Sequence, residues 1–423
     1  MKRFKWRPLF LCMTLLIAVV AGHPGELGRA TAKTDLRVSG EYIYQINDSL
    51  LRRFPSRFAG VPGEGPFTIS HREYSKVVVK LLEAIIAPIK DEKNTLGLSP
   101  YVETRPFLDD SSEFYNIVAV VPGSDPALSS QFVLVGGHWD CTPWTLDGAI
   151  DCGMQVALTA GVFKAFVDYW VANDIRPQRS LMVVFFDGEE QCLCGSASAT
   201  TTDVYRGMNH LELPPQANVV AYHDTDMIGA NYPGRWFGRS DLDFMPLNVA
   251  SAPAYLDGPT RAWAPYNATS PGFAAKFVPF RMEMLAARDR LFTDMRTKFG
   301  HSSFTYRDGQ KRPLFTDAQK RYINIIDDAS DRSDHSVLIL QGIPSDLSIG
   351  IWDPDSAPPG LLSYHNTGET LEFLNYMYSG QQRRSAETLL GLETAGMWVA
   401  YQTGANPLSP APGLFYLGEM DAP

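Results

Sequence analysis

Apolar runs bounded by glycine, proline or acidic residues recur along this chain with the lengths of strands. Four of them predict buried strands: FYNIVAVVPG at 114–123, QFVLVGGH at 131–138, SLMVVFFDGEE at 180–190 and NVVAYHDTDMIG at 218–229. Apolar positions at helical spacing predict helices over 71–90 and 152–170. Strands that are apolar on both faces and alternate with long helices favour an α/β fold. The expected architecture is a three-layer α/β/α sandwich around a mixed, mostly parallel central sheet.

The second half of the chain has a less regular pattern. Glycine, proline and aromatic residues are frequent over 231–320, which predicts a loop-rich insertion with one helix near 280–299. The strand pattern returns at 333–350, and further helices are expected over 367–380 and 384–401. We therefore expect one catalytic domain over 41–403, preceded by a lead-in at 23–40 and followed by a tail at 404–423.

The first 22 residues have the pattern of a targeting segment. Lys2, Arg3, Lys5 and Arg7 precede a short apolar run that ends in small residues. The run is shorter than the roughly 20 residues that cross a bilayer. A cleaved secretory signal is the first interpretation and a short uncleaved anchor the second. The prediction is a secreted or extracytoplasmic protein with no membrane span in the mature chain.

Composition and charge narrow the function classes. The 423 residues are 45% hydrophobic and 20% charged, an ordinary globular balance. The net charge is −10, and lysine and arginine are scattered without a basic stripe, which argues against nucleic acid as a partner. Oligomeric state is not determined by the sequence.

Four cysteines lie outside the leader, at 141, 152, 192 and 194. They are too few for a disulfide scaffold in a chain of this size. Either one bridge joins the 141–152 and 192–194 regions, or the thiols are buried and free.

Candidate metal ligands follow the predicted strands. His138 and Asp140 point to the same face of an extended stretch, so Asp140 can accept a hydrogen bond from the imidazole of His138. Glu189 and Glu190 are adjacent carboxylates after a very apolar strand, where a cation would relieve their repulsion. Adjacent side chains point in different directions, so one can bind metal while the other activates water.

Together with Asp151, Asp226 and His365, the residues His138 and Glu190 suggest a site for two metal ions. Two imidazoles and three carboxylates suit zinc, with manganese or cobalt as substitutes. Five protein ligands exceed what one open catalytic zinc usually takes, and they suit two ions about 3.5–4 Å apart that share one carboxylate. The proposed ligand set is His138, Asp151, Glu190, Asp226 and His365.

Six ordered blocks resemble the di-zinc aminopeptidase and glutamate carboxypeptidase family of zinc exopeptidases, whose fold is shared by animal-type glutaminyl cyclases. The blocks are GGHWD at 136–140, AIDCG at 149–153, FFDGEEQCLCGS at 185–196, HDTDMIG at 223–229, SDH…GIP at 333–344 and YHNTGET at 364–370. The likeness covers about residues 40–380. The sequence differs from the family pattern at Cys192, where glycine is usual, and at Glu369, where aspartate is usual.

The resemblance implies a role for each matching residue. His138 and Asp226 would hold one zinc, Glu190 and His365 the other, and Asp151 would bridge them. Glu189 would be the general base, Asp140 the partner of His138, and Tyr364 a group near the scissile carbonyl. Asp334 and His335 match a substrate-side loop.

The leading hypothesis is a secreted zinc-dependent aminopeptidase that acts on peptides. The runner-up is a glutaminyl-peptide cyclotransferase with a single zinc held by Asp151, Glu190 and His365. Two features argue against a cyclase: the segment after the paired acids lacks the insertion that cyclases carry there, and Tyr364 stands where cyclases have tryptophan. One feature argues for it: the segment DMIGANYPGRWF is similar to a cyclase loop. A carboxypeptidase, which would need a basic pocket, and a non-catalytic binding ectodomain stay open as further alternatives.

Overall fold

A computed structural model describes the central part of the chain in separate stretches. The described residues are 36–58, 66–89, 99–109, 112–145, 147–192, 218–228, 247–250, 273–299, 303–305, 311–313, 323–326, 333–340, 342–349, 365, 370–371 and 382–404. The predicted leader, most of the lead-in, all but the first residue of the C-terminal tail and most of the 367–380 segment lie outside them.

Eight strands of the described chain form one mixed sheet. They are β1 (Tyr101–Asp109), β2 (Ser112–Val121), β3 (Gln131–His138), β4 (Ser180–Phe186), β5 (Asn218–Asp226), β6 (Leu247–Ala250), β9 (Ile323–Ile326) and β10 (Ser345–Ile349). Their spatial order is β1-β2-β4-β3-β5-β10-β6-β9. The central strands β4, β3, β5 and β10 run parallel to one another, while β1, β2 and β4 pair antiparallel, as do β10 and β6. A separate hairpin pairs β7 (Ser303–Thr305) with β8 (Lys311–Pro313).

Helices cover both faces of this sheet. They are α1 (Gly40–Leu51), α2 (Pro66–Ile86), α3 (Gln155–Asn173), α4 (Glu189–Cys192), α5 (Phe273–Phe299), α6 (His335–Leu340) and α7 (Gln382–Thr403). Alternate residues of each strand belong to different cores, because successive side chains point to opposite faces. Val133 and Val183 pack with α1, α2, α3, α5 and α7 in the larger core. Leu134 and Val184 pack in a smaller core that includes Leu338 of α6. The predicted α/β/α sandwich is confirmed.

Helix α3 is the central helix of the larger core. Together with the preceding π-helical turn, it is the one segment of the described chain that is long and apolar enough to cross a membrane by length and composition. Its apolar window is 94% buried inside the protein. This burial accounts for its apolar character, since a helix that is hydrophobic all round must be covered.

Two elements differ from the patterns in the sequence. The segment SDHSVLIL contains the helix α6, and the strand β10 begins only at Ser345. Periodicity cannot separate a short buried helix from a buried strand, and here the turn Ser336 N–H to Ser333 C=O starts the helix. Strand β6 lies within the stretch expected to be loop-rich and pairs with β10 and β9 in the main sheet.

Candidate metal centre

The candidate site lies at the carboxyl ends of three parallel neighbouring strands. His138 is the last residue of β3, Asp226 is the last residue of β5, and β4 between them leads into Glu189 and Glu190. Parallel strands end at one edge of a sheet, so residues that are 88 positions apart, at 138 and 226, meet there.

The first ligand group contains His138, Asp151 and Asp226. The Nε2 atom of His138 lies 3.1 Å from Asp151 Oδ1 and 3.5 Å from Asp226 Oδ1. One nitrogen or oxygen atom from each side chain falls within 4.8 Å of the others, a spacing that can surround one metal ion.

The second ligand group contains Asp151, Glu190 and His365. The Nε2 atom of His365 lies 3.2 Å from Asp151 Oδ2 and 3.0 Å from Glu190 Oε2. These atoms satisfy the same 4.8 Å spacing. The two groups therefore share Asp151, which turns one carboxylate oxygen towards each imidazole.

A break in helical geometry presents Asp151 to both groups. Residues Ala149–Met154 form a π-helical turn ahead of α3, and Asp151 alone in it has φ −106° and ψ 90°. Its side chain is buried and points to the strand ends, whereas an N-cap aspartate would bond the first helical N–H groups. Gly148 has φ 49° at the start of the turn, a conformation that glycine adopts at little cost.

Asp140 joins the two sequence blocks that supply most of the acids. It is fully buried, and its Oδ1 lies 3.4 Å from His138 Nδ1; the hydrogen bond expected between them stays a prediction. The same carboxylate accepts the backbone N–H groups of Glu189 at 3.1 Å and of Glu190 at 3.3 Å. Asp140 therefore sets the position of His138 and of the first turn of α4 together.

Glu189 and Glu190 point in different directions. The Oε2 atom of Glu189 lies 4.0 Å from His138 Nε2, while Glu190 faces His365. Burial raises the pKa of Glu189 well above its usual range, His138 opposes this, and Asp226, Asp334 and Glu190 add to it. Glu189 is thus a carboxyl group with a strong tendency to accept a proton.

The remaining acids are also crowded. Burial, and then the charge of Asp151, raise the pKa of Glu190 to about 8 and the pKa of Asp226 above its ordinary value. Burial would raise the pKa of Asp151 too, but hydrogen bonds with His138 and His365 outweigh it and lower that pKa. Burial would lower the pKa of His365, but Asp151 and Glu190 raise it to about 10.

These residues pass a test of fit for cations. Among the described residues, Glu190 Oε1 and Asp226 Oδ1 have no hydrogen-bond partner although both atoms are buried. Buried carboxylate oxygens without partners are costly, and bound cations would both satisfy them and relieve the repulsion between the acids. Imidazole and carboxylate donors are the ligands that zinc takes in catalytic sites.

Asp334 and His335 lie fully buried at the start of α6, beneath the site. His335 donates its backbone N–H to Asp224 Oδ2 at 2.9 Å and places Nδ1 3.3 Å from the same oxygen. Tyr222 donates its hydroxyl to the other oxygen of Asp224. A substrate contact by either residue remains a prediction, but the charge of Asp334 already acts on Glu189.

Several predicted features can be placed only in part. Tyr364 and Cys194 lie outside the described residues. Cys141 and Cys152 are buried free thiols, the second of the two alternatives considered for the cysteines. Trp144 is 66% exposed on the loop before Asp151, whereas Trp139 is buried in the core.

Sequence reasoning missed three polar residues that support the site. Gln155 donates to His138 C=O and accepts from Met227 N–H, so it links the ends of β3 and β5. Arg57 is fully buried and donates to the backbone oxygens of Trp139 and Gly148. His71 is buried beside Asp187. Each lies in a segment whose pattern indicated only a loop or a helix, so no local signal distinguished them.

Fold and site together define a class: an α/β/α sandwich that collects imidazoles and carboxylates at its strand ends, as zinc exopeptidases do. Residues 116–272 match the sequence profile described as peptidase family M28. The match confirms the resemblance inferred from the sequence blocks.

Solved structures with a similar fold include two proteins of Legionella pneumophila. The LapA aminopeptidase is 11% identical with a TM-score of 0.51, and the match covers 97% of this chain and 78% of LapA. LapB is 13% identical with a TM-score of 0.53, covering 95% of this chain and 82% of LapB. A glutaminyl cyclase from an Acidobacteriales bacterium is 18% identical, with a TM-score of 0.48 and coverage of 90% and 98%. At these identities the likeness to the two Legionella proteins establishes the fold alone. No curated protein matches this chain in sequence.

Proposed function

We propose that this protein is a zinc-dependent exopeptidase, and specifically an aminopeptidase that removes N-terminal residues from peptides. One observation carries the proposal: two ligand groups share Asp151, and the carboxylate of Glu189 lies beside them. A shared carboxylate between two groups of nitrogen and oxygen donors is the arrangement that two-metal hydrolases use.

Five side chains of this protein would hold the ions. His138 and Asp226 would bind one zinc, Glu190 and His365 the other, and Asp151 would contribute one oxygen to each. Bound zinc would polarise the scissile carbonyl and lower the pKa of the attacking water.

Glu189 would be the general base. Its backbone N–H is fixed by Asp140, so its side chain projects from a defined position beside His138. Its raised pKa suits a group that takes a proton from the attacking water and then passes it to the leaving amine.

The charge of the site favours a substrate with a free amine. The charges of Asp226 and Asp334 raise the pKa of the buried Glu189, and a protonated N-terminus would supply positive charge there. Secretion remains the prediction made from the leader, which supports a function on peptides outside the cytosol.

The test is the substitution Glu189→Gln, which keeps the size of the side chain and removes its basicity. We expect kcat on aminoacyl substrates to fall ~10²–10⁴-fold, the usual contribution of a general base, while metal content is unchanged. Glu73→Gln is the matched control, because Glu73 is an exposed partner of Lys76 on α2. Undiminished activity of Glu189→Gln would refute the assignment.

The same preparation separates peptidase from cyclase. Two tightly bound zinc ions and release of N-terminal residues support the aminopeptidase. One tightly bound zinc and release of ammonia from a peptide with N-terminal glutamine would replace it with glutaminyl cyclisation. Assays with and without a chelator then show whether either activity depends on metal.

A further inference from the structure

A column of stacked groups lies beneath the metal centre. The ring of His71 stacks on Trp139 at 4.2 Å between centroids, and Trp139 stacks on Tyr74 at 5.4 Å. The guanidinium of Arg57 lies over the ring of Tyr74, 5.2 Å from its centroid. All four side chains are buried, and His71 and Tyr74 come from the same helix, α2.

The column contacts the segment that carries the first ligands. Trp139 follows His138 and precedes Asp140, and it is held at both of its N–H groups. Its backbone N–H bonds to Phe186 C=O at 3.0 Å, and its indole N–H bonds to Tyr115 C=O at 3.0 Å. The ring stack therefore fixes the backbone between two residues of the proposed site.

At its other end the column reaches the segment that carries Glu189 and Glu190. His71 Nε2 lies 2.9 Å from Asp187 Oδ1, with both side chains shielded from solvent. Asp187 Oδ2 accepts the Tyr115 N–H at 2.7 Å, and the Asp187 N–H bonds to Asn116 Oδ1 at 3.0 Å.

Asp187 is thereby fixed at three atoms, two residues before Glu189. Only Gly188, with φ 72°, separates Asp187 from Glu189. A turn whose first residue cannot move delivers the next side chains to a defined place, and catalytic geometry tolerates errors of well under 1 Å.

We propose that His71 is a positioning residue of the metal centre: through Asp187 it fixes the turn that carries Glu189 and Glu190, while its ring, stacked on Trp139, ties that turn to the segment of His138. The inference rests on the proposed function, since it assigns His71 a part in the same site.

Energetics favour this explanation over a purely structural one. A buried ionisable pair is seldom more stabilising than well-packed apolar side chains of the same volume. The position of His71, against Tyr115 and Trp139, would suit an apolar ring equally well. What the imidazole adds is a directed hydrogen bond to Asp187, and that bond orients the segment that leads into Glu189.

Two substitutions separate the ring from the hydrogen bond. His71→Phe keeps a ring to stack on Trp139 and removes the bond to Asp187. His71→Gln removes the ring but keeps an N–H group near the position of Nε2. The matched control is His223→Phe, because His223 is also buried, is bonded to Asp346 at 2.7 Å and is stacked on Phe280 at 5.5 Å.

We expect His71→Phe to lower kcat ~10–100-fold, the usual cost of losing a partner that orients active residues, with KM within about twofold. The decrease in log kcat should be at least one third smaller in His71→Gln than in His71→Phe. His223→Phe should lose comparable unfolding free energy in denaturant titration but keep kcat. Equal kcat losses in the two phenylalanine variants, or no recovery with glutamine, would overturn the proposal. If His71→Phe does not fold, Asp187→Asn replaces it, because this substitution removes the charged acceptor of the same hydrogen bond. The same loss of kcat relative to His223→Phe is then expected.

Metal binding gives a readout that does not depend on peptidase activity. Calorimetric titration with Co²⁺ should show the affinity of the weaker site reduced ~10-fold in His71→Phe and unchanged in His223→Phe. If the wild-type protein cleaves no peptide, the proposed function fails and this titration alone decides the role of His71. Unchanged Co²⁺ affinity in His71→Phe would then refute it.

Discussion

Asp140→Asn is the change that most directly tests how the centre is held. The substitution keeps the size of the side chain and leaves every proposed ligand in place. In the native protein one carboxylate accepts two backbone N–H groups, from Glu189 at 3.1 Å and Glu190 at 3.3 Å, and faces His138 Nδ1 at 3.4 Å. An amide has only one oxygen and presents an NH₂ group in place of the other. At least one of the two backbone donors must then face another donor in a fully buried place.

The expected magnitude follows from these contacts. A hydrogen bond to a charged acceptor contributes about 1.5–3 kcal/mol, so the loss of one of them corresponds to roughly 10–150-fold in an equilibrium. Loss of a partner that orients a metal-binding histidine usually costs about 10–100-fold in metal affinity or activity. We therefore expect Asp140→Asn to lower zinc affinity and kcat/KM each ~10–100-fold.

The assay is zinc competition against a chromophoric chelator, together with steady-state kinetics on an aminoacyl substrate. Asp168→Asn is the matched control, since Asp168 is 56% exposed and pairs only with Lys164 among the described ion pairs. If Asp140→Asn binds zinc and turns over within twofold of the wild type, Asp140 does not hold the centre together and the reasoning fails.

Three further predictions concern the buried packing of the protein. Burial raises the pKa of Cys152 to about 12 and that of Cys141 above its ordinary value, so we expect neither thiol to be alkylated at pH 8 until the protein unfolds, as mapped by mass spectrometry of labelled peptides. The pKa of Cys152 in the folded protein lies above its unfolded value of about 8.5, so the contribution of this thiol to the unfolding free energy is complete below pH 8.5. That contribution falls by up to ~1.4 kcal/mol per pH unit as the pH rises towards 12. In denaturant titrations, Cys152→Ala should therefore show a smaller fall in unfolding free energy between pH 8 and pH 10 than the wild type. A methyl group at Gly161 would lie 2.5 Å from Ile43 Cγ1, so Gly161→Ala should destabilise the protein by about 1–3 kcal/mol, and less in an Ile43→Ala background; additive effects of the two changes would contradict this contact.

Patterns of apolar residues predicted the elements that surround the site. The strand expected at 131–138 is β3 with the same bounds, and the helix expected over 152–170 is α3 after a π-helical turn. These elements are long and fully buried, so their periodicity is clear. The segment 333–350 was misjudged because a run of six residues fits a helix as well as a strand, and β6 was missed because four residues carry too little pattern.

The proposed ligands could be named from sequence because their chemistry is local. An imidazole or carboxylate directly after a buried strand indicates a functional site, and His138, Glu190 and Asp226 all lie at the ends of such strands. His71 and Arg57 offered no such signal. Their partners, Asp187 and the backbone of 139–148, are between 82 and 116 positions away in the chain, and only packing of α2 and the residues after α1 against the sheet brings them together.

The sequence by itself determined the long strands and helices around the site, the apolar core and the identities of the acids and imidazoles, because each of these depends on neighbouring residues. Tertiary structure alone decided that Asp151 turns one oxygen to His138 and the other to His365, and that His71 and Asp187 lie beneath Glu189. These contacts depend on the register of β3, β4 and β5 and on the way α2 packs against them. A distance between distant segments is set by the whole folded chain, so no local stretch of residues can encode it.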